Sequence, residues 1–166
     1  MAILPITTGV DHTVLRTVSK PVKSIDRKIK KLVEDMIDTM EDADGLGIAA
    51  PQVGVNLRIY IARLNYNSEN EMVVPMINAE LMALSQHMDD EEEGCLSIPK
   101  KFGVVTRSKS VTVRYRDLKN REVTLKLDGL NARIMQHEMD HLNAILIADK
   151  MQNGSVHEGK PRRKRE

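Results

Sequence analysis

Residues 128–147, DGLNARIMQHEMDHLNAILI, decide how this chain folds. Leu130, Ile134, His137, Glu138, His141, Leu142 and Ile145 recur at the three- and four-residue steps of an α-helix, so they share one side of it. Ionisable groups thus sit in a stripe that otherwise faces a core. Residues four apart lie one helical turn above each other, which lets the imidazoles of His137 and His141 bind one divalent ion with Glu138 beside it. Such an ion lowers the pKa of water towards roughly 7, and a carboxylate that is not a ligand then moves the protons. The His-Glu-x-x-His spacing therefore points to a metal-dependent hydrolase. Two histidines four apart also arise as hydrogen-bonded core groups, so a third ligand has to support the reading.

Working outward, Val111, Val113 and Tyr115 alternate with polar residues, as do Val123, Leu125 and Leu127, with Lys119 and Asn120 near a turn. Period-2 alternation predicts an antiparallel hairpin with one wet face. LRIYIARL (57–64) and MVVPMIN (72–78) add strand-like runs rich in β-branched residues. Between Ser24 and Asp44, apolar residues at Ile25, Ile29, Leu32, Val33, Met36, Ile37 and Met40 predict an amphipathic helix capped by Ser24 and stopped at Gly45. Strands grouped in the middle with a helix at either end give an α+β class. Antiparallel and mixed sheets are expected around a central helix that carries HEMDH.

At 166 residues, 41% of them hydrophobic, one domain is expected. It is placed at 1–150, followed by a disordered basic tail over 151–166 that ends in PRRKRE. Lys+Arg of 25 against Asp+Glu of 24 supplies no global field for nucleic acid or an anionic membrane. No Trp, one Phe and 10 Met leave no stacking surface for bases. No stretch reaches the about 20 apolar residues of a membrane span, and MAILPITTG has no secretory or transit pattern. The lone Cys95 cannot form an internal disulfide and suits a reducing compartment, so a cytoplasmic location is expected.

For a third ligand, the downstream spacing of the metzincins would need glycine at 144 and histidine at 147, where Ala144 and Ile147 stand. Glu158 lies in an unpatterned segment. Cys95 is the remaining soft donor, and a lone buried cysteine can equally be an inert small hydrophobe. Its setting is EGCLS (93–97). Together with GLGIAAPQ (45–52) and QHEMDH (136–141), that stretch resembles the three signature motifs of the peptide deformylases, in the same order. The likeness spans roughly residues 3 to 150.

The resemblance implies a metal held by Cys95, His137 and His141, with Glu138 as general base and then general acid. It implies removal of the formyl group from the formylmethionine of nascent chains, with the Leu96 N–H and the Gln52 amide as oxyanion donors. Leu46, Gly47 and Gly94 would hold the substrate main chain as an added strand. Leu130 and Ile134 would wall a methionine pocket, or serve as ordinary core. Glu93 and Asp140 would orient the ligands, Arg107 pairing with Asp140. Ferrous iron is the implied cellular ion, with zinc or nickel as replacements after purification. Alternatives are another His-Glu-x-x-His metallopeptidase, or a non-catalytic metal-stabilised module associated with the ribosome. Two departures from the family pattern are Ala144, where glycine is usual, and Ala79, where proline is usual and its loss should only loosen a turn. The long C-terminal helix of many bacterial members is also missing, which puts any ribosome contact made through that helix in doubt.

Overall fold

The amphipathic run after residue 24 forms α1 (Arg27–Asp42), and its N-cap is Asp26 rather than Ser24. Asp26 Oδ1 accepts from the Ile29 N–H at 2.9 Å, satisfying one of the orphan donors of the first turn. The helix ends at Asp42, with the Gly45 N–H closing back on Met40 O at 2.9 Å. The computed structural model describes residues 2–159. Within them, β1 (Gly47–Ala49), β2 (Ile59–Leu64), β3 (Met72–Leu84), β6 (Ser110–Arg116) and β7 (Glu122–Asp128) form one sheet in the order β1-β2-β3-β6-β7. A second sheet joins β4 (Met88–Cys95), β5 (Ile98–Ser108) and β8 (His157–Glu158) in the order β4-β5-β8.

All of these strand pairs are antiparallel, and the expected mixed component is confined to an isolated parallel bridge, Lys20 to Leu57. The LRIYIARL run has no polar alternation because β2 is buried on both faces. Ile59 and Ile61 pack with Met36 and Met40 of α1, while Tyr60, Ala62 and Leu64 pack with Met135, Met139 and Leu142 of α2 (Gly129–Leu142). Alternate side chains point to opposite faces, so the two helices cover the two sides of the large sheet. The second sheet closes over the far side of α2. Gln136 links to it by accepting from Ser108 N at 3.0 Å and donating to Ser108 O at 2.9 Å.

The expected helix over 128–147 stops at Leu142 in a motif that explains one of the departures from the family pattern. Ile145 N donates to Asp140 O at 2.9 Å and Ala144 N to His141 O at 3.3 Å, the crossed pair of a Schellman C-cap. Ala144 occupies the left-handed position of that motif with φ 61°. Glycine suits it because a Cβ there crowds the following carbonyl. The second departure, Ala79, is not at a turn. It lies fully buried in β3 beside a bulge between Ile77 and Glu80, where Asn78 takes φ 52° and bonds both backbone groups of Val22.

The expected domain end at 150 falls short of the last described strand. Met151 bridges to Val105, and β8 adds to the free edge of β5 through Lys101↔Glu158 and Phe102↔His157. This edge pairing requires little apolar content, which is why the segment looked unpatterned. The PRRKRE stretch lies outside the described residues. Replacing Ala144 with Gly should raise stability by about 0.5–1 kcal/mol, read as a higher urea midpoint, because relief of the left-handed strain exceeds the added unfolded-state entropy.

Candidate metal centre

α2 brings His137, Glu138 and His141 up against the end of β4, where the hairpin to β5 turns at Leu96 and Ser97 and Cys95 pairs with Ile98. The ligand atoms offered by Cys95, His137 and His141 all lie within 4.8 Å of one another. Cys95 Sγ is 3.3 Å from His141 Nε2, and the two imidazoles meet edge to face with centroids 5.1 Å apart. His137 Nδ1 is 2.8 Å from Glu93 Oε1. A buried ionised carboxylate accepts only, so Nδ1 carries the hydrogen and the Nε2 lone pair is left for a metal. One thiolate and two imidazoles in this arrangement suit a tetrahedral ion with one position left for water or substrate.

Charge around the cluster is tightly paired. Arg107 donates from Nε to Glu93 Oε2 at 2.7 Å, from Nη2 to Glu93 Oε1 at 2.9 Å and from Nη1 to Asp140 Oδ2 at 2.7 Å. Burial pushes the Glu93 carboxyl up, but the hydrogen bonds from Arg107 and His137 and the charge of Arg107 outweigh it and hold the group far below the usual carboxylate range. Burial holds the His141 imidazole well below its ordinary value, which favours the neutral form that a metal ligand needs. Asp140 also pairs with Lys150 at 3.1 Å.

Glu138 is only 3% exposed, and among the described residues its Oε2 has no hydrogen-bonding partner. Burial pushes its carboxyl up to about 7, against the opposing charge of Arg107. An unpartnered buried carboxylate oxygen is costly unless something polar meets it, as water or a substrate N–H would. Gly47 is packed directly on this group: a Cβ at 47 would come within 2.3 Å of Glu138 Oε1. Gln52 is likewise fixed, its Oε1 accepting from Ala49 N at 2.9 Å. Its Nε2 points to Ser97 Oγ at 3.2 Å and Cys95 Sγ at 3.5 Å.

A cleft of ≈ 640 Å³ opens onto the cluster. Gln52, Glu93, Cys95, Leu96, His137 and Glu138 line it, as do Leu46, Gly47, Gly94, Leu130 and Ile134. His141 is buried behind His137, and Arg107 and Asp140 stand outside the lining. Leu130 is 46% exposed, so it belongs to the cleft wall rather than the core, whereas Ile134 serves both. The sequence reading missed Tyr66, Phe102 and Arg133, which also line the cleft. Phe102 faces Gly94 across the hairpin, and its ring fills the space a side chain at 94 would need. Arg133 carried a signal: an arginine one turn before His137 in an apolar stripe calls for a buried anion.

Replacing Gly47 with Ala should displace the Glu138 carboxylate and lower kcat by about 100-fold, as misplacements near 1 Å do, with bound metal unchanged. Steady-state kinetics beside metal analysis would check this, and an unaltered kcat would contradict the close packing.

A family model described as Polypeptide deformylase matches residues 3–156. The peptide deformylase of Chlorobium phaeobacteroides is 44% identical over 90% of this chain and 80% of its own length. That of Wolbachia pipientis is 46% identical over 78% of this chain and 76% of its own. Among solved structures, the peptide deformylase from Thermotoga maritima superposes with a TM-score of 0.85 at 38% identity, covering 92% of this chain and 99% of that one. A peptide deformylase from Acinetobacter baumannii, solved with Met-Ala-Ser bound, superposes with a TM-score of 0.83 at 35% identity, covering 90% and 99%. Family match, relatives and fold agree with the Cys-His-His cluster: this chain belongs to the polypeptide deformylase family, the metal-dependent hydrolases that remove the formyl group from peptide N-termini.

Proposed function

We propose that Cys95, His137 and His141 hold a single ion, ferrous iron in the cell, and that Glu138 moves the protons of deformylation. The observation that carries this reading is the buried Glu138 Oε2, unpartnered among the described residues, in the cleft that Cys95 and His137 also line. When bound there, a divalent ion supplies Lewis acidity and lowers the pKa of water.

Glu138 takes the proton of the attacking water as it adds to the formyl carbon. It then delivers that proton to the departing amine as the C–N bond breaks, releasing formate and a free N-terminus. The Gln52 Nε2–H and the Leu96 N–H meet the negative charge that develops on the formyl oxygen. Gln52 suits this task because its other amide end is anchored to Ala49 N, leaving the donor preset. Leu46, Gly47 and Gly94 hold the substrate main chain as an added strand, and Leu130 and Ile134 flank the methionine side chain. The Met-Ala-Ser complex of the Acinetobacter baumannii relative supports a cleft that takes a methionine-headed peptide. Glu93, Arg107 and Asp140 keep the imidazoles oriented.

Thiolate and imidazole donors accept iron and zinc alike, so iron is inferred from the family rather than from donor chemistry. The substrates are nascent chains, met in the cytoplasm and in transient contact with the ribosome. Residues 1–150 supply every group named here. Among the described residues no helix is long and apolar enough to cross a membrane.

Anaerobically prepared ferrous protein should deformylate a formyl-Met peptide and leave its unformylated counterpart uncut. Glu138→Gln should reduce kcat by about 10²–10⁴-fold, the range of general acid–base catalysis, while metal content stays at that of the native protein. Near-native turnover by that variant would remove Glu138 from the reaction.

A further inference from the structure

The carboxylate of Glu93 has more donors than an orienting partner needs, and two of them, Arg133 and His137, come from the helix that carries the histidines. Arg133 is 7% exposed. Its Nη1 donates to Glu93 Oε2 at 2.6 Å and to Val105 O at 2.8 Å, and its Nη2 donates to Asp89 O at 2.8 Å. His137, one turn further along α2, meets the other oxygen, Glu93 Oε1, at 2.8 Å. Side chains at i and i+4 of one helix therefore bond both oxygens of a single carboxylate carried by β4.

We propose that Arg133 is a positioning residue for His137, acting through Glu93, and that it ties the wall of the substrate cleft to the ligand cluster. The proposal rests on the metal-site reading above. Arg107 already binds Glu93 in a two-pronged pair, but Arg107 stands on β5, so that pair alone would move with the second sheet. The bond from Arg133 fixes the carboxylate in the frame of α2, the same frame that carries the ring of His137. With Oε2 held from the helix, Oε1 stays beside Nδ1 and the ring presents Nε2 towards Cys95 and His141. The bonds to Val105 O and Asp89 O place the guanidinium against β5 and β4 at once. Three acceptors on two strands require the planar fork of arginine, which a single ammonium cannot match. Arg133 also lines the cleft, so displacement of this side chain would be felt at the ligand.

The test uses Arg133→Met, which keeps the aliphatic stem without the charge, and Arg133→Lys, which keeps the charge but gathers its donors on a single nitrogen. Metal-free full-length protein is titrated with Co(II), following its visible bands and its dissociation constant, and kcat and KM are measured separately on the reloaded enzyme. Arg133→Met should weaken Co(II) binding by about 10- to 100-fold with shifted bands, and lower kcat rather than raise KM, as loss of a ligand's outer partner does. Arg133→Lys should fall between the native protein and Arg133→Met. Native Co(II) affinity and bands in the variants, whatever their melting temperature, would reduce Arg133 to a structural brace. A raised KM with unchanged kcat would make it a substrate contact instead. Should circular dichroism show that Arg133→Met does not fold, Arg133→Lys decides by the same two readings. Failure of the native protein to take up one Co(II) per chain would overturn the metal reading, a result distinct from failure of this proposal.

Discussion

The buried carboxylate of Glu93 is the point on which this structure turns. It receives Arg107 from β5, and Arg133 and His137 from α2, so the second sheet, the helix and a ligand imidazole converge on one anion. A buried charge is tolerated only when its hydrogen-bonding capacity is filled, and here both oxygens are doubly engaged. The reverse also holds: without Glu93, the buried guanidinium of Arg133 would lose this anion and that of Arg107 would be left with Asp140, at the interface where α2 meets β4 and β5. Stability of the second sheet and orientation of His137 thus depend on the same group. Arg107 extends the pairing to Asp140, immediately before His141, so His137 and His141 both stand next to one continuous ionic cluster.

Around that cluster the fold leaves space where chemistry requires it. Gly47 and Gly94 lack side chains at positions where a Cβ would strike Glu138 and the ring of Phe102 respectively. Their backbones therefore border the cleft directly, β1 on one side and β4 on the other. The aliphatic and thioether core holds α1 and α2 on opposite faces of the large sheet, which keeps the helix bearing Glu138 fixed relative to β1.

Much of this was legible in the sequence because the controlling features are local. The three- and four-residue spacing of the HEMDH helix, the alternation of the β6–β7 hairpin and the two-sided run of β2 each reflect a periodicity that a short stretch reveals. Boundaries were less legible. Asp26 displaced Ser24 as the N-cap because both can cap and only the geometry of the entering chain selects one. The helix of the motif ended early because residues 140–145 favour a Schellman turn, in which Ala144 adopts a conformation that its type disfavours. Long-range consequences were illegible: nothing local indicates that β8 pairs with the edge of β5, or that Tyr66 and Phe102 reach the cleft. Arg133 lies between these cases, a visible charge in an apolar stripe whose anion sits 40 residues away in the chain.

The most direct measurement is X-ray absorption at the metal edge of protein loaded with zinc. With Cys95, His137 and His141 as ligands, the shell should contain one sulfur at about 2.3 Å and two imidazole nitrogens at about 2.0–2.1 Å, the sulfur vanishing in Cys95→Ser. A shell of nitrogen and oxygen alone in the native protein would contradict a centre built from Cys95 and the HEMDH helix.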